Sequence, residues 1–76
     1  MNTREGGSNE YALCLSNSGY QASLVVRRLY ELLPDPEAAK RGLLRVIDES
    51  GEDYLFPRDL FAVLELPSAI RERLTT

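Results

Sequence analysis

The chain lacks histidine and tryptophan altogether and has a single cysteine, Cys14. Without histidine, any catalysis would fall to carboxylates, Cys14, a tyrosine or Lys40. One cysteine cannot build an intrachain disulfide framework, and it suits a reducing compartment. No apolar run approaches the roughly 20 residues a bilayer requires, and no charged-then-apolar leader opens the sequence, so a soluble, cytoplasmic protein is expected. Positive charge is in deficit as well. A formal charge of −3 and a pI near 4.8 disfavour a dedicated nucleic-acid binder, whose phosphate contacts need surplus Lys and Arg, while leaving room for a local basic patch.

What is present is an ordinary globular composition. Apolar residues form 43% of 76 residues, enough to exclude wholesale disorder and to specify one small domain. Residues 1–10, M-N-T-R-E-G-G-S-N-E, have nothing to bury beyond the initiator and read as a flexible tail. Residues 11–76 then form a single domain.

The best-specified stretch runs from Gly42 to Leu66. Leu43–Ile47 and Tyr54–Phe56 are strand-like, and the polar run Asp48-Glu49-Ser50-Gly51-Glu52-Asp53 separates them. Ser50-Gly51 is the expected reversal, which sets Ile47 opposite Tyr54 and Val46 opposite Leu55. Glu49 then faces Glu52 and Asp48 faces Asp53, like-charge pairs that only a solvated tip tolerates. Leu44, Val46 and Leu55 would make one face, and Leu43, Arg45, Ile47, Tyr54 and Phe56 the other. Both faces are apolar enough to need cover, which favours a small barrel over an open sheet. Pro57 ends the pairing, Pro57–Leu60 makes one helical turn, and Phe61–Leu66 resumes as a strand.

Upstream, Tyr11–Ser16 alternates as a short strand and Asn17-Ser18-Gly19 is a turn by composition. Ala22–Leu33 fits either a helix capped by Ser23 or a long bent strand. The strand is preferred because its neighbours on both sides are strands. Pro34–Gly42 is a short helical connector: Asp35 caps, Pro36 takes the first position, Lys40-Arg41 the last turn, and Gly42 closes it. Pro67–Leu74 reads as a terminal helix capped by Ser68, with Ile70 and Leu74 docking on the body.

This order of elements, together with Tyr54-Leu55-Phe56-Pro57-Arg58-Asp59-Leu60-Phe61, resembles the Src-homology-3-like barrel. That family closes with Gly-Leu-Ile-Pro-Ser-Asn-Tyr-Val, and Pro57 and Phe61 fall on its proline and final valine. The resemblance implies a mainly β fold: a barrel of about five strands with a short helical connector and a short C-terminal helix. Tyr11–Leu66 also resembles small bacterial proteins without assigned function, which implies a bacterial, cytoplasmic setting. The chain has no tryptophan, and Leu60 stands at the family's groove tyrosine, so a polyproline groove is not expected.

No residue cluster carries a catalytic, cofactor or metal signature. Cys14 sits in an apolar strand with no base beside it and reads as structural. The acids Asp48, Glu49, Glu52 and Asp53 lack the alternating ligand pattern of a calcium loop. The expectation is therefore a non-enzymatic module binding an unknown protein, either through a sheet edge or through a face built from Arg27, Tyr30, Arg45 and Tyr54. The alternative is a regulator that binds single-stranded nucleic acid through an Arg27/Arg45 face, with tyrosines stacking on bases.

Overall fold

The computed structural model describes residues 10–75. The expected N-terminal tail lies outside these except for Glu10, which opens the first strand. Five strands follow the order of the chain: β1 (Glu10–Cys14), β2 (Leu29–Leu33), β3 (Leu43–Ile47), β4 (Asp53–Pro57) and β5 (Phe61–Glu65). A helix α1 (Pro36–Lys40) joins β2 to β3, a 3-10 turn (Arg58–Leu60) joins β4 to β5, and a helix α2 (Ser68–Thr75) follows β5. Every pairing is antiparallel, in the order β4-β3-β2-β1-β5. The architecture is mainly β and compatible with a small barrel, but β4 and β5 end the order without pairing, so the sheet is not closed.

β2 is the hinge of this arrangement. Its first three residues pair with β1, Leu29 with Leu13, Tyr30 with Ala12 and Glu31 with Tyr11. Its last two pair with β3, Leu32 with Val46 and Leu33 with Arg45. Tyr30 and Leu32 therefore share one face and carry the core from one half of the sheet to the other. Ala12, Cys14, Leu24, Tyr30, Leu32, Val46, Phe56 and Phe61 make up that core, with Leu44 and Leu60 packed against it. Phe56 meets Phe61 edge-on at 6.1 Å and Tyr20 at 5.3 Å, the geometry that ring quadrupoles prefer.

The β3–β4 hairpin forms where expected, with its register shifted by one residue. Val46 pairs with Tyr54 and Ile47 with Asp53, instead of Leu55 and Tyr54. The cause is the turn. The Asp48 N–H donates to the Glu52 carbonyl at 3.0 Å, which leaves a three-residue loop of Glu49, Ser50 and Gly51. A two-residue reversal at Ser50-Gly51 needs a positive φ or a glycine at its first position, which Ser50 does not supply. With three residues only Gly51 takes a left-handed φ, +87°. Asp48 reinforces the choice by turning inward, where its carboxylate accepts from the Ser50 N–H at 2.8 Å and from the Ser50 hydroxyl. Asp48 is thus buried, contrary to the expectation of a wholly solvated acidic tip.

Ala22–Leu33 is neither a helix nor one long strand; only Leu29–Leu33 is extended in the sheet. Residues 15–28 are a loop stitched down at both ends. Asn17 Nδ2 donates to the Leu24 carbonyl at 2.9 Å, the Glu49 N–H donates to the Ser23 carbonyl at 3.0 Å, and the Arg27 N–H donates to the Cys14 carbonyl at 2.7 Å. Leu24 is fully buried and anchors the loop, whereas Val25 and Val26 are exposed. The strand expectation failed because alternation alone cannot see a tight turn. The Arg28 N–H closes back on the Val25 carbonyl at 3.2 Å, and Arg27 takes a φ of 72° to make this possible. Cys14 then faces both Arg27 and Arg28, since its own N–H donates to the Arg28 carbonyl at 3.0 Å. This is a bulge of the type that usually places glycine where Arg27 stands.

The connector is as expected. Asp35 caps α1 through the Ala38 N–H at 3.0 Å, Pro36 starts the helix, and Gly42 leaves it with a φ of +74°. The terminal helix forms too, but its expected docking does not occur: Ile70 and Leu74 are 47% and 48% exposed.

Two substitutions test this description by urea or thermal unfolding. Leu24→Ala should cost about 2–5 kcal/mol, because it empties a core site rather than an exposed strand position. Arg27→Gly should stabilise by about 0.5–1 kcal/mol, the relief of a left-handed L-residue less the entropy of glycine. Destabilisation by the second change would contradict the turn.

Candidate interaction surface

Two of the residues expected to share a binding face, Arg45 and Tyr54, lie on opposite faces of the hairpin. The hairpin's one-residue shift sends alternate side chains to opposite faces. Arg45 pairs with Leu55 and Tyr54 with Val46, so Arg45 and Tyr54 project to opposite sides of the hairpin. Asp53, not Tyr54, falls beside Arg45. The Arg45 guanidinium donates to Asp53 Oδ2 at 2.9 Å and to Asp35 Oδ2 at 2.7 Å, which ties the hairpin to the cap of α1. Asp35 and then Asp53 raise the Arg45 pKa. The Ala38 N–H and then Arg45 hold the Asp35 carboxyl below its usual range. Tyr54 is 49% exposed, and its hydroxyl donates to Glu52 Oε1 at 2.9 Å. Arg27 is exposed on the loop.

Tyr30 is buried in the core, with its hydroxyl committed on both sides. It accepts from the Val25 N–H at 2.7 Å and donates to Glu49 Oε2. Burial, followed by the bond to Glu49, pushes its pKa up to about 12. Glu49 also receives Arg28 Nη1 at 3.0 and 2.9 Å on its two oxygens. The Tyr30 hydroxyl, above all, holds the Glu49 carboxyl below the ordinary glutamate range; desolvation opposes it, and the bond and charge of Arg28 add to the lowering. This cluster is a clamp from the hairpin tip onto the β1–β2 loop. Cys14 is equally occupied. Its thiol is buried, donates to the Ser16 carbonyl at 3.3 Å, and is raised in pKa by desolvation. Among the described residues no group of three or more acidic, Cys or His side chains could hold a metal, and no helix is long and apolar enough to cross a membrane.

The surface left open is the rim of β5. The alternation of the β1–β5 ladder, fixed at one end by the Leu15 N–H donating to the Leu60 carbonyl, points the peptide groups of Val63 and Glu65 away from β1. Among the described residues no strand covers them. From Phe61 to Leu64 this strand has neither proline nor charge, and Val63 and Leu64 are each 37% exposed. The opposite rim, β4, is guarded by Asp53 at one end and by Pro57, which has no N–H, at the other. After β5 in the chain, α2 holds Ile70 and Leu74 one turn apart and half exposed. The uncharged Phe-Ala-Val-Leu run was readable in the sequence, but which strand ends the sheet was not.

Comparison with protein-family models, with curated proteins and with solved structures finds no match to this chain. What the described residues define is a class, a small mainly β domain whose five-stranded antiparallel sheet is not closed.

The Glu49 clamp predicts two limbs of pH dependence. A carboxylate with a depressed folded pKa contributes stability above its unfolded value, about 4.3, and loses it as pH falls through the lower folded value. Urea midpoints of the wild type should therefore fall in acid, and Glu49→Gln should flatten that limb. A phenol raised to about 12 contributes fully below its unfolded value near 10 and loses that contribution as pH rises through the folded one. The last alkaline step of tyrosine absorbance should then vanish in Tyr30→Phe.

Proposed function

We propose that the chain is a non-enzymatic interaction module that binds protein by accepting an added strand at the β5 rim. The observation that carries this reading is the contrast between the two ends of the sheet. Outward-facing peptide groups of Val63 and Glu65 lie in a strand that is apolar from Phe61 to Leu64 and has no proline, whereas in β4 the outward position of Pro57 has no N–H to offer. An edge with free peptide groups and exposed apolar side chains is a template for strand addition, and natural domains normally blunt such edges. The half-exposed stripe of Ile70 and Leu74 extends the apolar surface beyond the strand.

The Src-homology-3-like barrel is the fold family we favour. Its support is the strand order with β1 between β5 and β2, the passage of β2 from one half of the sheet to the other, and the 3-10 turn after Pro57. A bacterial, cytoplasmic setting follows from the resemblance described above, and the single buried thiol is compatible with it. The nucleic-acid reading has less support, because Arg45 is already held by two carboxylates and the net charge is −3.

Cross-linked capture from a cell extract tests the module. A partner retained by wild type and by Tyr54→Ala, and lost from Val63→Pro, is the expected result. A partner that Val63→Pro retains, or salt-sensitive binding to single-stranded RNA that depends on Arg27, would displace this reading.

A further inference from the structure

Resting on the strand-addition reading, we infer that the strand added to β5 is the β5 of a second copy of this chain, making a two-fold dimer with a continuous sheet across the seam. Three features converge on self-pairing.

The first is the terminal helix. α2 has eight residues, no acid in its first turn and an apolar stripe half in water. Isolated helices shorter than about 12–15 residues are marginal in water, so α2 gains from any cover over the half-exposed Ile70 and Leu74. The second is the core. One cluster of eight buried residues holds the described sheet, Cys14 among them as a free thiol, and association is one of the ways to stabilise so small a core.

The third is that the edge fits its own two-fold image. In an antiparallel pairing centred on Val63, that residue exchanges both of its N–H···O=C bonds with its twin. Phe61 falls opposite Glu65 of the second copy. The Phe61 N–H is already spent on the Arg58 carbonyl, but its carbonyl remains on the rim to receive the Glu65 N–H. The only charges on the two strands are then held apart. The two Glu65 side chains lie about 13 Å from each other along the seam, at roughly 3.3 Å per residue, which exceeds the Debye length of about 8 Å in physiological salt. Because α2 follows the C-terminal end of β5, each α2 starts beside the Arg58–Leu60 turn of the second copy, so that Ile70 and Leu74 lie next to the seam instead of open solvent.

Sedimentation equilibrium across micromolar to millimolar concentration decides the matter. The wild type should be a dimer. Val63→Pro, which deletes the outward N–H and spares the ladder to β1, should be a monomer with an unchanged far-UV spectrum. Val63→Lys serves if the proline variant does not fold. Leu74→Glu should raise the dimer dissociation constant at least about tenfold, a difference of about 1.4 kcal/mol, and Tyr54→Ala should leave it unchanged. A wild type that is monomeric throughout, or a folded Val63→Pro that still dimerises, overturns the inference. A blocked synthetic peptide spanning Phe61–Glu65 separates the two levels. If a monomeric wild type binds it and Val63→Pro does not, self-pairing fails and strand addition stands. If neither binds it and no Val63-dependent partner is captured, both fail.

Discussion

One carboxylate ties the two halves of the sheet's connections together. Glu49 sits at the tip of the β3–β4 hairpin, receives the Tyr30 hydroxyl from inside the core and the Arg28 guanidinium from outside, and lends its own N–H to Ser23. A fourteen-residue loop with only Leu24 fully in the core would otherwise carry a large entropy of disorder. Tyr30 shows why the clamp works electrostatically. Its hydroxyl both donates to the carboxylate and accepts from the Val25 N–H, so the buried phenol is partnered on both sides. The pKa shifts on the two partners run in opposite directions, as expected when one proton is held between a phenol and a carboxylate.

The same loop explains where the sequence was legible and where it was not. Asp35, Pro36 and Gly42 announce α1 because capping and glycine closure are local chemistry, readable within a few residues. The hairpin strands were equally plain. Their register was not, because it turned on whether Ser50 would take a positive φ and on an inward-turned Asp48, and a one-residue error reassigns every face. That single shift undid the expected grouping of Arg45 with Tyr54. It placed Asp53 where the tyrosine was expected and turned a supposed contact residue into a tie between hairpin and helix cap. Arg27 was illegible for a different reason. Nothing in an arginine advertises a left-handed turn, and only the closure of Arg28 on Val25 demands it.

The edges of the sheet divide by the same logic. Pro57 ends β4 and begins the 3-10 turn, so it serves connection and protection at once. β5 has no proline, and Val63 and Leu64 remain partly exposed on it. An open rim next to an under-supported helix is the least finished part of a molecule whose other polar groups are closely matched. It is therefore the part whose energy depends most on surroundings.

The position of β1 in the sheet has a consequence for how the molecule is made. β1 lies between β2 and β5, yet its partner β5 comes some fifty residues later in the chain. As the polypeptide leaves the ribosome, α1 and the β3–β4 hairpin can form from neighbours alone, while one side of β1 stays bare until nearly everything else has emerged. β1, an inner strand of the sheet, is thus the last to be sealed. The interval before β5 arrives is when the nascent chain is most open to mispairing with another copy of itself.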